Sequence, residues 1–298
     1  MAKYDPYIPE AEALCDVAAD SERVGDSLRA FELFEQVLEM YPLYPRALHA
    51  KGVLLHKQNH SDQAIDTLKM CLEANPLYWD ALNNLGNVYR SQYKYDESLL
   101  CYNKIIATNS EYFLAYFNIG EVKQKEQDDN TALIYFRKAI KYNKKFVPAY
   151  TSIVRIYKKR SRLLDAERLC RKILKLEPNN VEAQFMIGAV RAEYGEIPEA
   201  IDWMRKVKNS ESFGLAAHAS IIYYLNLLPD ITQEEIYSES RLFEERYAVC
   251  YHNLQRPHIN NPNPERKLRI GFVSGDIKLH PVARHLRPLI QNLDRKKF

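Results

Sequence analysis

The stretch Trp79–Tyr112, WDALNNLGNVYRSQYKYDESLLCYNKIIATNSEY, decides how this chain is read. Its first half sets Leu82, Leu85 and Tyr89 at helical spacing around a small residue, Gly86. Its second half sets Tyr102 one turn after another small residue, Ser98. The arrangement returns every 34 residues in both directions, in blocks beginning at Ala11, Pro45, Trp79, Phe113, Val147 and Val181. Position 8 of the blocks reads Ala18, Gly52, Gly86, Gly120, Val154, Gly188, and position 20 reads Ala30, Ala64, Ser98, Ala132, Ala166, Ala200. Position 24 is Phe34, Leu68, Tyr102, Phe136, Cys170, Met204, and position 32 is Pro42, Pro76, Ser110, Lys144, Pro178, Ser212.

Packing explains the period. Two antiparallel helices per block meet where positions 8 and 20 are small, and larger apolar residues at positions 4, 7, 11 and 24 fill the space around that contact. Proline at position 32 cannot continue a helix and stops the second one. No block buries its apolar face alone, so six stacked blocks share one core. The pattern is that of the tetratricopeptide repeat (TPR), which implies an all-α solenoid, a right-handed superhelix of helical hairpins. The units are 11–44, 45–78, 79–112, 113–146, 147–180 and 181–214, after an N-terminal segment 1–10. Lys51 at position 7, Ser21, Lys123 and Arg191 at position 11, and Gln184 at position 4 weaken single units without breaking the register. Thirteen or more helices are expected, with no strand inside residues 11–212.

First helices of such an array line a groove, with positions 2, 5, 6, 9 and 12 facing it. Units three and four place Asn83, Asn84, Asn87 and Asn118 there. An asparagine amide can bond both the N–H and the C=O of an extended peptide, whatever the peptide's sequence. These four are therefore candidate groove residues, with plain solvated polar residues as the alternative. A second binding mode is the carboxylate clamp of TPR adaptors, a Lys, Asn, Asn, Lys, Arg set over three units. Its two asparagines match Asn87 and Asn118, but its cationic positions read Asn83, Pro148 and Ser152, which leaves a carboxylate without charge-assisted bonds. His56 and His60 stand four apart across the turn of unit two with no third ligand in view, so they read as surface histidines rather than a metal site.

Composition narrows the class. With 42 basic and 39 acidic residues the net charge is +3, too balanced for a nucleic-acid footprint. The five cysteines (15, 71, 101, 170, 250) form no CxxC pair, and Cys71, Cys101 and Cys170 fall at or beside packing positions. They read as reduced core residues of a cytosolic or nuclear protein without disulfides or zinc. The N-terminus MAKYDPYIPE has no apolar run, and Ala219–Leu228 is too short to span a bilayer and contains Asn226. The expected partners are polypeptides, with neither nucleic acid nor membrane.

After unit six the period fails. Residues 215–255 read as transition helices: one over Leu215–Leu228, then Gln233–His252, opened by a capping box of Thr232 and Glu235. Residues 256–267, with Pro257, Pro262 and Pro264, read as a linker. Leu268–Ser274 (LRIGFVS) reads as a buried strand, followed by a turn and an amphipathic helix from Pro281. Strand, turn and helix open an α/β domain, so 268–298 is expected to be the start of a Rossmann-like lobe of GT-B type.

The stretch Ile221–Phe298, with LNLLPDITQEEIY, ERYA and NPNPERKLRIGFVSGDIKLHPVARHLRPLI, resembles the protein O-GlcNAc transferases and SPINDLY-like glycosyltransferases at the point where their repeats meet the catalytic region. The resemblance implies inverting transfer of a sugar from UDP-GlcNAc to Ser or Thr of cytosolic and nuclear proteins, with no metal. GlcNAc or fucose is left open as the sugar. It places His280 where the family carries an active-site histidine; the plain alternative is a residue beside a helix N-cap. It also aligns Asn84 and Asn118 with an asparagine ladder that grips polypeptides, short here because the other units carry Asp16, Ala50, Ser152 and Met186. The donor-binding lobe of the family lies beyond what these residues hold, which reads as a fragment or a truncated gene. By itself the chain is expected to transfer no sugar and to bind no UDP. The competing reading is a stand-alone TPR adaptor.

Overall fold

The computed structural model describes residues 8–249, which hold fourteen α-helices and no strand. Residues 8–243 belong to one compact unit, and a second begins at Glu244. The expected strand Leu268–Ser274, the helix from Pro281, the linker at 256–267, Cys250 and His280 lie outside the described residues. So do residues 1–7 of the N-terminal segment.

First helices are α1 (Pro9–Arg23), α3 (Pro45–Lys57), α5 (Trp79–Ser91), α7 (Phe113–Lys125), α9 (Val147–Lys159) and α11 (Val181–Glu193). Their antiparallel partners are α2 (Ser27–Met40), α4 (Ser61–Ala74), α6 (Tyr95–Thr108), α8 (Asp129–Tyr142), α10 (Leu163–Leu176) and α12 (Ile197–Val207). The fold is an all-helical TPR solenoid. Every helix pair packs on the next, and α3 approaches α5, and α5 approaches α7, more closely than the second helices approach one another. First helices therefore form the inner side along units two to four.

The seam inside each hairpin is steric. A methyl group on Gly86 would come within 2.5 Å of the Tyr102 ring, and one on Gly120 within 2.6 Å of Phe136. Small at position 8 and large at position 24 are thus one choice made twice. Unit five makes it in reverse: Val154 sits opposite Cys170, both buried.

One turn recurs at position 15 of all six units. Gly25, Asn59, Tyr93, Gln127, Ser161 and Gly195 all have φ between 54° and 89°. The next N–H bonds back five residues, as in Asp26 to the Ser21 carbonyl at 2.9 Å and Lys94 to the Tyr89 carbonyl at 2.9 Å. This is the Schellman closure of a helix C-terminus. Between units the chain stops without needing the proline: Asn75, Asn109 and Asn143 each accept the N–H two residues on, at 3.2, 3.2 and 3.0 Å. Asx turns of this kind compete with helix continuation. Asn109 and Asn143 serve units three and four, where position 32 is Ser110 and Lys144; Asn75 of unit two stands beside Pro76.

The charged residues at packing positions are accommodated rather than weakening. Lys51 pairs with Glu35 at 2.9 Å and lies 5.1 Å from the Phe31 ring centroid. Arg191 reaches Glu196 at 2.5 Å and also Glu167 of the preceding unit. Its long stem packs while its head finds carboxylates. Cys15, Cys71, Cys101 and Cys170 are buried and free, and burial pushes their thiols up to between about 11 and about 12. They stay protonated and act as small apolar residues.

Past unit six, α13 (Gly214–Leu225) packs on α12, so the helix expected over Leu215–Leu228 ends three residues early. α14 (Gln233–Tyr247) opens with the capping box: Glu235 N–H donates to Thr232 Oγ1 at 3.2 Å and Thr232 N–H to Glu235 Oε2 at 2.9 Å.

Candidate peptide-binding face

The inner side is polar because its residues stand on first helices but outside the hairpin seam. Much of that polarity is spent between units. Arg46 of unit two holds Asp16 of unit one at 2.6 Å and also reaches Glu12. Asn84 meets His49 at 2.7 Å, Asn118 donates to Asn83 at 2.8 Å, and Ser152 donates to Glu121 at 3.1 Å. Arg155 donates to Glu182 at 2.7 Å. Each bond joins a residue to one about a repeat away, so the ladder fixes how units stack.

The four asparagines divide into two pairs. Asn83 and Asn118, 7% and 5% exposed, are buried and bonded to each other. They are not open groove residues, because position 5 of α5 and position 6 of α7 face one another across the junction. Asn84 and Asn87 are half-buried and aimed differently. Tyr102 Oη donates to Asn87 Oδ1 at 2.8 Å, and burial pushes the phenol up to about 12, so it donates throughout the neutral range. That bond turns Asn87 Nδ2 away from Tyr102. Asn84 Nδ2 rests on Nε2 of His49, whose pKa burial lowers, so the ring is neutral and accepts. That contact turns Asn84 Oδ1 outward. Among the described residues neither outward atom has a hydrogen-bond partner. One acceptor and one donor, three residues apart on one helix, are the complement of a peptide N–H and C=O.

Asn84 and Asn87 open on a cavity of about 430 Å³ whose lining also includes His56, Arg90, Tyr93 and Lys125. Position 12 belongs to the inner-facing set, which is the signal in the sequence for His56 and Arg90; Lys125 and Tyr93 stand at positions 13 and 15, where the pattern gave none. His56 stands in this cavity while His60 is exposed at the turn, and no cluster of three His, Cys, Asp or Glu that could hold a metal occurs among the described residues. No helix among those residues is long and apolar enough to cross a membrane. His280 is not among them, so no geometry attaches to it.

Three stretches of the chain, 33–66, 80–109 and 114–146, match tetratricopeptide-repeat family models. No curated protein matches the chain in sequence. Among solved structures it is similar to PilF of Pseudomonas aeruginosa, at 16% identity and TM-score 0.60 over 67% of this chain and 91% of that one. It is similar as well to PilW, described as a widely conserved type IV pilus biogenesis factor, at 17% identity and TM-score 0.60 over 68% and 94%. A tetratricopeptide-repeat protein from Parabacteroides merdae aligns at 18% identity and TM-score 0.53 over 78% and 98%. Likeness at these identities is likeness of fold.

Proposed function

We propose that this chain is a protein-interaction scaffold that holds an extended segment of a partner polypeptide on the inner face of units two to four. The observation that carries the reading is the pair Asn84 and Asn87, each with one amide atom bonded to a neighbouring ring and both lining one cavity. A peptide backbone bonded to both satisfies a donor and an acceptor without regard to its side chains. The test is a selection of random dodecapeptides, acetylated and amidated, on the full chain, followed by fluorescence anisotropy. Asn84→Ala with Asn87→Ala should weaken the selected peptides about tenfold or more at a temperature where circular dichroism shows the variant folded; its melting temperature falls because the Tyr102 hydroxyl loses its acceptor. Unchanged affinity in that variant removes the reading.

A finer reading makes the scaffold the substrate-recruiting part of a protein O-GlcNAc transferase-like enzyme working in the cytosol or nucleus. Its support is the sequence stretch NPNPERKLRIGFVSGDIKLHPVARH, which resembles that family and contains His280. The stand-alone adaptor fits the fold equally well. Transfer of labelled GlcNAc from UDP-GlcNAc to a Ser- and Thr-containing polypeptide by the native protein separates the two. Transfer that is lost in His280→Ala supports the enzyme, whereas this chain by itself is expected to transfer nothing on either reading.

A further inference from the structure

The cavity beside Asn84 and Asn87 has a charge as well as a shape. Its lining carries Arg90 and Lys125 from consecutive units and His56 from the unit before, and no carboxylate. Glu121 stands 3.6 Å from Arg90, an ion pair longer than a hydrogen bond, and accepts from Ser152. Lys125 is exposed and has no ion pair among the described residues. His56 Nδ1 is buried without a hydrogen-bond partner there, although the cavity is polar. The mixture excludes a basic side chain, which would meet two cations, and favours a compact anion at one end of the peptide track.

We propose that the cavity bounded by His56, Arg90 and Lys125 receives an acidic side chain, Asp or Glu, of the segment whose backbone lies on Asn84 and Asn87. This rests on the peptide-binding reading and adds the chemistry of one ligand position. Arg90 offers a planar donor fork to the carboxylate and Lys125 a second charge from the next unit. The carboxylate belongs to a side chain, because Asn84 and Asn87 need main chain on the track alongside it.

The same selected dodecapeptides test it, since their blocked termini leave side chains as the only carboxylates. The recovered peptides should be enriched in Asp or Glu at one position. Replacing that residue by Gln should weaken binding about tenfold to the unaltered chain, and less than twofold to Arg90→Gln with Lys125→Gln, which is the coupling of a double-mutant cycle. Peptides that lose affinity in the Asn84→Ala, Asn87→Ala variant but show neither acidic enrichment nor coupling to Arg90 and Lys125 would overturn this proposal while sparing the peptide-binding reading. Failure to recover any peptide removes both. A matched peptide with Gln at that position and a free C-terminus, binding as tightly as the Glu peptide, assigns the cavity to a terminal carboxylate and overturns the side-chain assignment.

Discussion

The junction of units three and four and the junction of units five and six both bury polar side chains, and they satisfy them in opposite ways. At five and six, Glu167 accepts from Arg171 at 2.7 Å and from Arg191, and Arg191 goes on to Glu196 at 2.5 Å and lies 3.6 Å from Glu199. Charge meets charge until the network closes on itself. At three and four the buried contact is one neutral amide bond, Asn118 to Asn83, with half-buried Asn84 and Asn87 beside it pointing one atom each outward. At the ion network the partners are charged and, of its buried atoms, only Arg191 Nε lacks a hydrogen bond, whereas an amide has more bonding positions than one neighbour can fill. The difference sets a joint held by charge apart from one held by neutral amides, where the proposed binding face lies.

The largest effect that sharpens this contrast is loss of the carboxylate at the closed joint. Glu167 is 5% exposed, and Glu167→Ala leaves Arg171 and Arg191 facing one another; the cost should be about 3 kcal/mol in urea unfolding. Burial raises the Glu167 pKa, but the hydrogen bonds from Arg171 and Arg191 outweigh it and hold the carboxyl below its ordinary 4.5. A depressed carboxyl pKa stabilises the folded state above the unfolded value and ceases to do so as pH falls through the folded one. Stability should therefore fall below about pH 4.5 and fall less steeply in Glu167→Gln. Equal slopes in the two proteins would place the acid sensitivity elsewhere.

The open joint should respond less and without pH dependence. Asn118→Ala strands Asn83 and should cost about 1.5 kcal/mol, whereas Asn83→Leu with Asn118→Leu removes both partners and should cost under about 1 kcal/mol. A double variant as damaged as the single one would show that the amide bond, rather than its satisfaction, holds this joint.

The smallest expected change has the opposite sign. Tyr93 is 78% exposed, lines the cavity and holds φ at 61°, where unit six has Gly195. A left-handed conformation costs a side-chain-bearing residue about 1–2 kcal/mol, so Tyr93→Gly should stabilise the chain by about 1 kcal/mol, less what glycine loses in chain entropy. Thermal melting checks it, and a lower melting temperature would mean that the ring contributes packing.

The repeat was legible in the sequence because its causes are local and periodic. Small residues at positions 8 and 20 and large ones at 24 are matched inside one hairpin, so the pattern shows along the chain, and helices begin at Pro45, Trp79, Phe113, Val147 and Val181. The capping box of Thr232 and Glu235 was legible for the same reason: both partners lie within four residues. The Asx turns at Asn75, Asn109 and Asn143 were legible in principle, but proline is the louder stop signal.

The inner face was only half legible. Spacing places Asn83, Asn84, Asn87 and Asn118 on one side of the first helices, yet which of them meet is set by the offset between helices of neighbouring units, some 31 to 35 residues apart. That offset comes from how apolar faces of successive hairpins interlock, a sum over many contacts that no single position records. Tertiary structure alone therefore paired Asn83 with Asn118, turned Asn84 and Asn87 outward against His49 and Tyr102, and gathered His56, Arg90 and Lys125 of three units around one cavity. The sequence by itself determined the helices, their order and their inward faces, because a helix repeats its own geometry. The direction of a side chain at the joint between two units depends on both units at once, and that is decided only when they pack.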